Sequence, residues 1–231
     1  MKRFAVVVVA ALIAAVGFAI AQEKPEQLAL PALPDASCNL LYVAHDWDFS
    51  INDQGFTTST CDATGGAEVW EWGTSTIAGA PGTVWGTVLA GNYPTNAGQG
   101  LLSPAFEVTA ITDKMEILSY LQTETNFDGG NVTVNDALLQ PNPVYNATIN
   151  TSTSYYAYCV DNEAGWTGSS SSPSQNWVAQ CFDLSAYVGQ TIQVRFDFGS
   201  DASVTYPGWY LGYVRIGDDV IPVELQNMTI N

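Results

Sequence analysis

The sequence predicts an all-β fold in which two sheets pack face to face as a β-sandwich. Three observations point there. Residues 191–198, TIQVRFDF, alternate apolar and polar side chains without a break, the pattern of a strand with one buried and one wet face. Turn chemistry recurs at short intervals, in GNYPTNAGQG, FDGGN, QPNPVYN and GWTGSSSSPSQN. Beyond the first residues no segment sustains the helical period of about 3.6.

Taken in order, the chain opens MKRFAVVVVAALIAAVGFAIAQ. Lys2 and Arg3 precede an uncharged apolar run over 4–20, and Ala19-Ile20-Ala21 supplies the small-x-small pattern of a leader cleavage site. Residues 1–21 therefore read as a signal peptide. The competing reading is an uncleaved anchor, since about 18 apolar residues suffice to span a bilayer. No second apolar run of that length follows, so the mature chain is expected to be secreted, periplasmic or at the cell surface, with no transmembrane segment. Residues 22–37, rich in Pro and Ala, read as a linker; 38–217 form one domain, and 218–231 a C-terminal tail. Within the domain, strands are expected over 115–122, 131–134, 191–198 and 209–216, with Asp128-Gly129-Gly130 marking a tight turn. Trp70 and Trp72 share one strand face while Glu71 takes the other, and most aromatic residues are expected to fill the interior. Ser and Thr crowd 148–154 and 167–174, which read as exposed loops.

Six basic residues against 23 acidic ones give a net charge of −17. Such a surface repels phosphate backbones, which excludes nucleic acid as a partner; it keeps an exported chain soluble or collects divalent cations. The four cysteines, Cys38, Cys61, Cys159 and Cys181, favour two disulfides in an oxidising compartment. Of the three connectivities, Cys38–Cys61 with Cys159–Cys181 is expected because local loops close most easily, each contributing about 3 kcal/mol in the chain-entropy account. Zinc fits poorly, for there is no C-x-x-C and the only histidine is His45.

Eight ordered pieces carry a family resemblance: DWDFS, GFT, WEWGT, VWGTVLAGNY, LLSPAFEVT, TETNFDGGNVTV, WVAQCFDLSAYVGQTIQVRFDFGSD and GWYLGYVRI. Over 46–216 the chain resembles the MAM-like jelly-roll domain found C-terminally in immune-inhibitor-A-type secreted metallopeptidases and in other exported bacterial proteins. The resemblance implies a two-sheet, concanavalin-like jelly roll that serves as an accessory module, binding, spacing or stabilising, with calcium in some members and no catalysis of its own. The peptidase partner's H-E-x-x-H is absent here, since His45 is followed by Asp-Trp-Asp. The family's last core strand reads G-W-Y-[IL]-D-D-V, and this chain has Gly212 and Tyr213 in place of both aspartates. That departure puts a cation at this strand in doubt. Gly199-Ser200-Asp201 does match the family's G-S-D, and the tail resembles the PVEL segment that follows domains in exported bacterial proteins.

The chemistry on offer is narrow. A Ser-His-Asp set would need His45, and no G-x-S-x-G is present. Glu124 and Asp128 flank a turn and form the one carboxylate pair a glycoside hydrolase could use. Calcium is the better-supported cofactor, with Asp48, Glu124, Asp128 and Asp201 as ligands at strand ends; the alternative is that each caps a turn or faces water. Tyr155, Tyr156, Tyr158 and Trp166 gather around the Ser-rich loop, either as a platform for a glycan or as cover for the sheet and the second disulfide. Sequons stand at Asn131, Asn146, Asn150 and Asn227, and in a chain of bacterial character they read as chance. The expected role is a non-catalytic binding or adhesion module for a glycan or a surface protein. A structural subunit that self-assembles through its sheet edges is the alternative, and a glycosidase the third reading.

Overall fold

The computed structural model of the chain describes residues 38–61, 65–150, 156–168 and 176–221. The expected signal peptide and linker, Tyr155, Asn227 and most of the expected tail lie outside the described residues. Sixteen strands follow one another: β1 Tyr42–Asp48, β2 Thr57–Ser59, β3 Trp70–Thr74, β4 Thr83–Thr87, β5 Gly98–Leu102, β6 Phe106–Glu107, β7 Lys114–Gln122 and β8 Gly129–Val134. Then come β9 Ala137–Leu138, β10 Pro141–Asn142, β11 Ala147–Thr148, β12 Ala164–Thr167, β13 Val178–Asp183, β14 Thr191–Ile192, β15 Val194–Gly199 and β16 Gly208–Asp218. Among the described residues the helical content is one short 3-10 turn, Ser185–Tyr187.

Two seven-stranded antiparallel sheets make the sandwich. The first runs β10-β13-β7-β16-β4-β3, and the second β11-β12-β8-β15-β5-β2 with β9 added on β8. The long β16 is the hub of the first sheet. One of its edges pairs with β7 along most of its length; the other is shared by β4 at Tyr210 and Leu211 and by β1 from Tyr213 to Asp218. A strand that is hydrogen-bonded on both edges and covered on both faces has no wet side. Ten of its eleven residues are accordingly buried, which is why GWYLGYVRI reads as a near-continuous apolar run.

The expected strand 191–198 is divided. Thr191 and Ile192 pair with β6 in a small two-stranded sheet, and Val194 onward joins the main one. The step is held by Ser103, whose Oγ accepts from Val194 N–H at 2.9 Å and whose carbonyl accepts from Gln193 Nε2 at 2.8 Å. Both halves keep the same inward face, so the period of two survives the change of partner.

Six of the seven tryptophans are buried, which bears out the reading of the aromatic residues as interior filling. Trp209 sits at the centre, with ring centroids 5.7 Å from Trp70, 5.9 Å from Phe196 and 6.0 Å from Trp166. The outer face of the first sheet is also covered, where Leu118, Tyr120, Tyr210 and Tyr213 pack under Trp177, Ile77 and Leu89. Over the second sheet's outer face lies the 156–160 segment, with Tyr158 directly above Gly98 and Gly199. A side chain at either glycine would collide with that segment.

The disulfides depart from expectation. Cys38 pairs with Cys181 and Cys61 with Cys159, across sequence separations of 143 and 98. Sheet membership explains it. Cys181 lies on β13 of the first sheet, and Cys38 reaches the same sheet, its sulfur 3.2 Å from the Met115 carbonyl oxygen. Cys61 follows β2 of the second sheet, and Cys159 belongs to the segment lying over that sheet. Neighbours in sequence were thus sent to opposite layers, and closure entropy alone did not choose the partners.

Candidate functional site

Three of the expected carboxylate ligands, Glu124, Asp128 and Asp201, converge at one place. The chain leaves β7 in the first sheet at Gln122 and enters β8 in the second at Gly129, so Glu124 and Asp128 occupy the crossing between layers. Gly129 is the register partner of Gly199 at the end of β15, which brings Asp201 beside Asp128. Oxygen atoms of Glu124, Asp128 and Asp201 lie within 4.8 Å of one another.

Asp128 is fully buried. Its Oδ2 accepts from the Tyr93 hydroxyl at 2.7 Å, and its Oδ1 accepts from the Asp201 backbone N–H at 2.7 Å. Tyr93 also accepts from Glu124 N–H at 3.1 Å, so one phenol ties both ends of the turn. Asp201 Oδ1 accepts from Ser203 N–H at 2.8 Å and from Ser203 Oγ at 2.9 Å, and Glu124 Oε2 accepts from Ser203 Oγ at 3.2 Å. Burial pushes the Asp128 carboxyl up to about 7, outweighing the two hydrogen bonds that pull it down; the neighbouring acids add to the rise. Burial and the adjoining Asp128 push the Tyr93 phenol well above its ordinary range, so it stays a neutral donor. Tyr93 and Ser203 were not among the expected site residues. The clue to Tyr93 was a large aromatic inside the polar loop GNYPTNAGQG, where nothing apolar nearby in sequence could cover it.

Asp48 stands apart, a correction to its expected place among the ligands. It ends β1, opposite Tyr213, and its Oδ1 accepts from Ser50 N–H at 2.9 Å, the turn-capping role set out as the alternative. Gly212 and Tyr213, which stand where the resembled family has aspartates, have their own work. Gly212 is the bulge where β16 slips against β7, and a Cβ there would meet Pro81 Cγ at 2.8 Å. Tyr213 donates to Glu116 Oε1 at 2.9 Å, with the Arg215 guanidinium 4.1 Å over its ring. Arg215 in turn pairs with Asp46 at 3.0 Å, so an ion pair joins this strand to β1.

The aromatic group expected around the Ser-rich loop is split. Trp166 is 3% exposed and belongs to the core, packed on Tyr145, Phe182 and Trp209; it has no face for a ligand. The reason is register, since Trp166 pairs with Gly130 on β8 and its side chain points between the sheets. Tyr156 and Tyr158 form an edge-to-face pair at 5.1 Å beside the second disulfide, Tyr156 exposed and Tyr158 half-buried. His45 stacks on Trp47 at 5.4 Å and lies 5.8 Å from Phe106, an aromatic setting. Asn131 and Asn150 are buried with their amides hydrogen-bonded, and Asn146 is bonded to Thr167, so these sequons are structural.

The chain is similar to part of Bacillopeptidase F. The match to that protein of Bacillus subtilis (strain 168) is 29% identical over 163 residues, covering 68% of this chain. It spans about a tenth of the relative's length, 10%. No protein-family model matches the chain. Among solved structures, the K1 cleaved adhesin domain of Lys-gingipain from Porphyromonas gingivalis W83 is similar at TM-score 0.43 and 17% identity, covering 75% of this chain and 97% of that one. The K2 cleaved adhesin domain of Lys-gingipain follows at TM-score 0.39 and 14% identity, covering 74% and 96%.

Proposed function

We propose that the chain is an exported, non-catalytic MAM-like jelly-roll module for binding or adhesion outside the cell, accessory to a larger protein. The observation that carries this reading is the proportion of the match to a peptidase. A stretch filling 68% of this chain is only 10% of Bacillopeptidase F, the relation expected of an appended domain. The residues agree. Asp128, half of the carboxylate pair a glycosidase would need, has no face open to a substrate, and His45 is stacked on aromatic rings. Two disulfides suit an oxidising compartment. The ligand class is a glycan or a surface protein. Labelled chain applied to a glycan array and to a panel of matrix proteins tests the role, and failure to bind on either would sink it.

Calcium belongs to the same reading, held by Glu124, Asp128 and Asp201. Calcium takes about six to eight oxygens, and three carboxylates crowded at the end of a sandwich suit it in kind. The raised Asp128 carboxyl is what uncompensated crowding and burial produce, and a divalent cation supplies the missing charge. Calcium at about 100 times its dissociation constant should raise stability by about 2.7 kcal/mol, or roughly 5–10 °C in Tm for a domain of this size. Asp128→Asn and Glu124→Gln should shrink that shift. An unchanged melt across all calcium concentrations removes the metal from the proposal.

A further inference from the structure

At the open side of the sandwich, where edge strands β2 and β3 face each other, two adjoining cavities of about 170 and 270 Å³ share Thr58, Glu68 and Gln99. Gln99 on β5 is 6% exposed, and its orientation is fixed: Oε1 accepts from Val69 N–H and Trp70 N–H, both at 2.8 Å. An amide pinned by its oxygen presents Nε2 the other way. Among the described residues that donor has no partner, although the side chain lines both cavities. Thr58, Glu68, Glu71 and Trp70 also line the larger cavity, Glu71 Oε2 already accepting from Leu89 N–H at 3.0 Å. Gly98, which Tyr158 packs against, lines the smaller one.

We infer that this groove is the ligand site of the module and that it takes a neutral saccharide unit. The inference rests on the binding role proposed above and adds a place and a chemistry to it. A sugar hydroxyl both donates and accepts, matching a fixed amide donor next to carboxylate acceptors and a threonine hydroxyl. A peptide adding to the sheet fits less well. The N–H groups of Val69 and Trp70 are already taken by Gln99, so the β3 edge is plugged here against an added strand.

The test is saturation-transfer NMR and titration of the full chain with methyl glycosides of glucose, galactose, mannose and N-acetylglucosamine, up to about 10 mM. At least one should bind. Glu68→Ala, at an exposed carboxylate with no hydrogen bond or ion pair among the described residues, should weaken it at least about fivefold while Tm is unchanged. Gln99→Glu keeps both acceptor bonds, removes the donor and should weaken it similarly. Glycosides that never saturate, or that bind both variants as well as the parent, overturn the inference. So does an oligolysine peptide that binds where glycosides do not, and binds tighter to Gln99→Glu. If the parent adheres to an array or matrix protein and both variants do so equally, the groove is wrong and the module reading stands. If the parent adheres to nothing, both fail.

Discussion

Asp128 carries the sharpest conflict between burial and charge among the described residues. Its carboxyl is raised from 3.8 to about 7 in the folded chain, chiefly by burial, with Glu124 and Asp201 adding repulsion and Tyr93 and the Asp201 N–H opposing it. The folded state therefore binds this proton more tightly than the unfolded state does. The contribution is fully present below about pH 4 and is lost as pH rises toward 7, on the order of a few kcal/mol. Calorimetry in chelator should show Tm falling across that window, and Asp128→Asn should flatten much of the slope. Asp197, raised in the same direction by burial against the pull of Arg195, leaves a residual. An identical slope in Asp128→Asn would count against the burial argument. Glu124, Asp128 and Asp201 were legible in the sequence because they sit at strand ends within family-like motifs. Asp48 met the same description and went elsewhere, since which strand ends share a rim depends on sheet order, a long-range fact that local pattern does not hold.

At the scale of the elements, period and turn chemistry carried most of the information. Residues 115–122, 131–134 and 209–216 lie within β7, β8 and β16, each with apolar residues on the inner face. What the pattern could not show was a change of partner, as at Gln193, because both segments keep the same face inward. Nor did it separate an interior aromatic from a surface one where register decides, as with Trp166 opposite Gly130. That pairing has its own consequence. A Cβ on Gly130 would strike the Trp209 ring and approach the Asp197 carbonyl to 2.9 Å, in a core with no slack. Gly130→Ala should cost about 1–3 kcal/mol by overpacking, read as a lower urea midpoint with an unchanged m-value. A neutral outcome would mean that Trp209 is free to shift and that the core is looser than its ring contacts imply.

For the whole molecule, the pairing of distant cysteines is what sequence reasoning could least reach, because it reports which layer each segment joins. Cys38–Cys181 closes a separation of 143 residues, and in the chain-entropy account a loop of that length contributes about 5 kcal/mol. A domain of this size has a total stability of about 5–15 kcal/mol, so this one bond decides whether the fold is robust or marginal. It also anchors the chain at the start of the domain to β13, near the edge of the first sheet, next to the strand that carries Glu116 and Met115. The double substitution Cys38→Ser with Cys181→Ser should therefore lower stability by about 5 kcal/mol, against about 3 kcal/mol for a short local loop. Proteolytic mapping without reductant gives the independent check. A peptide containing Cys38 should be recovered joined to one containing Cys181, and Cys61 with Cys159. Recovery of Cys38 joined to Cys61 would restore the local pairing and would require the entry segment to lie against the second sheet instead of the first.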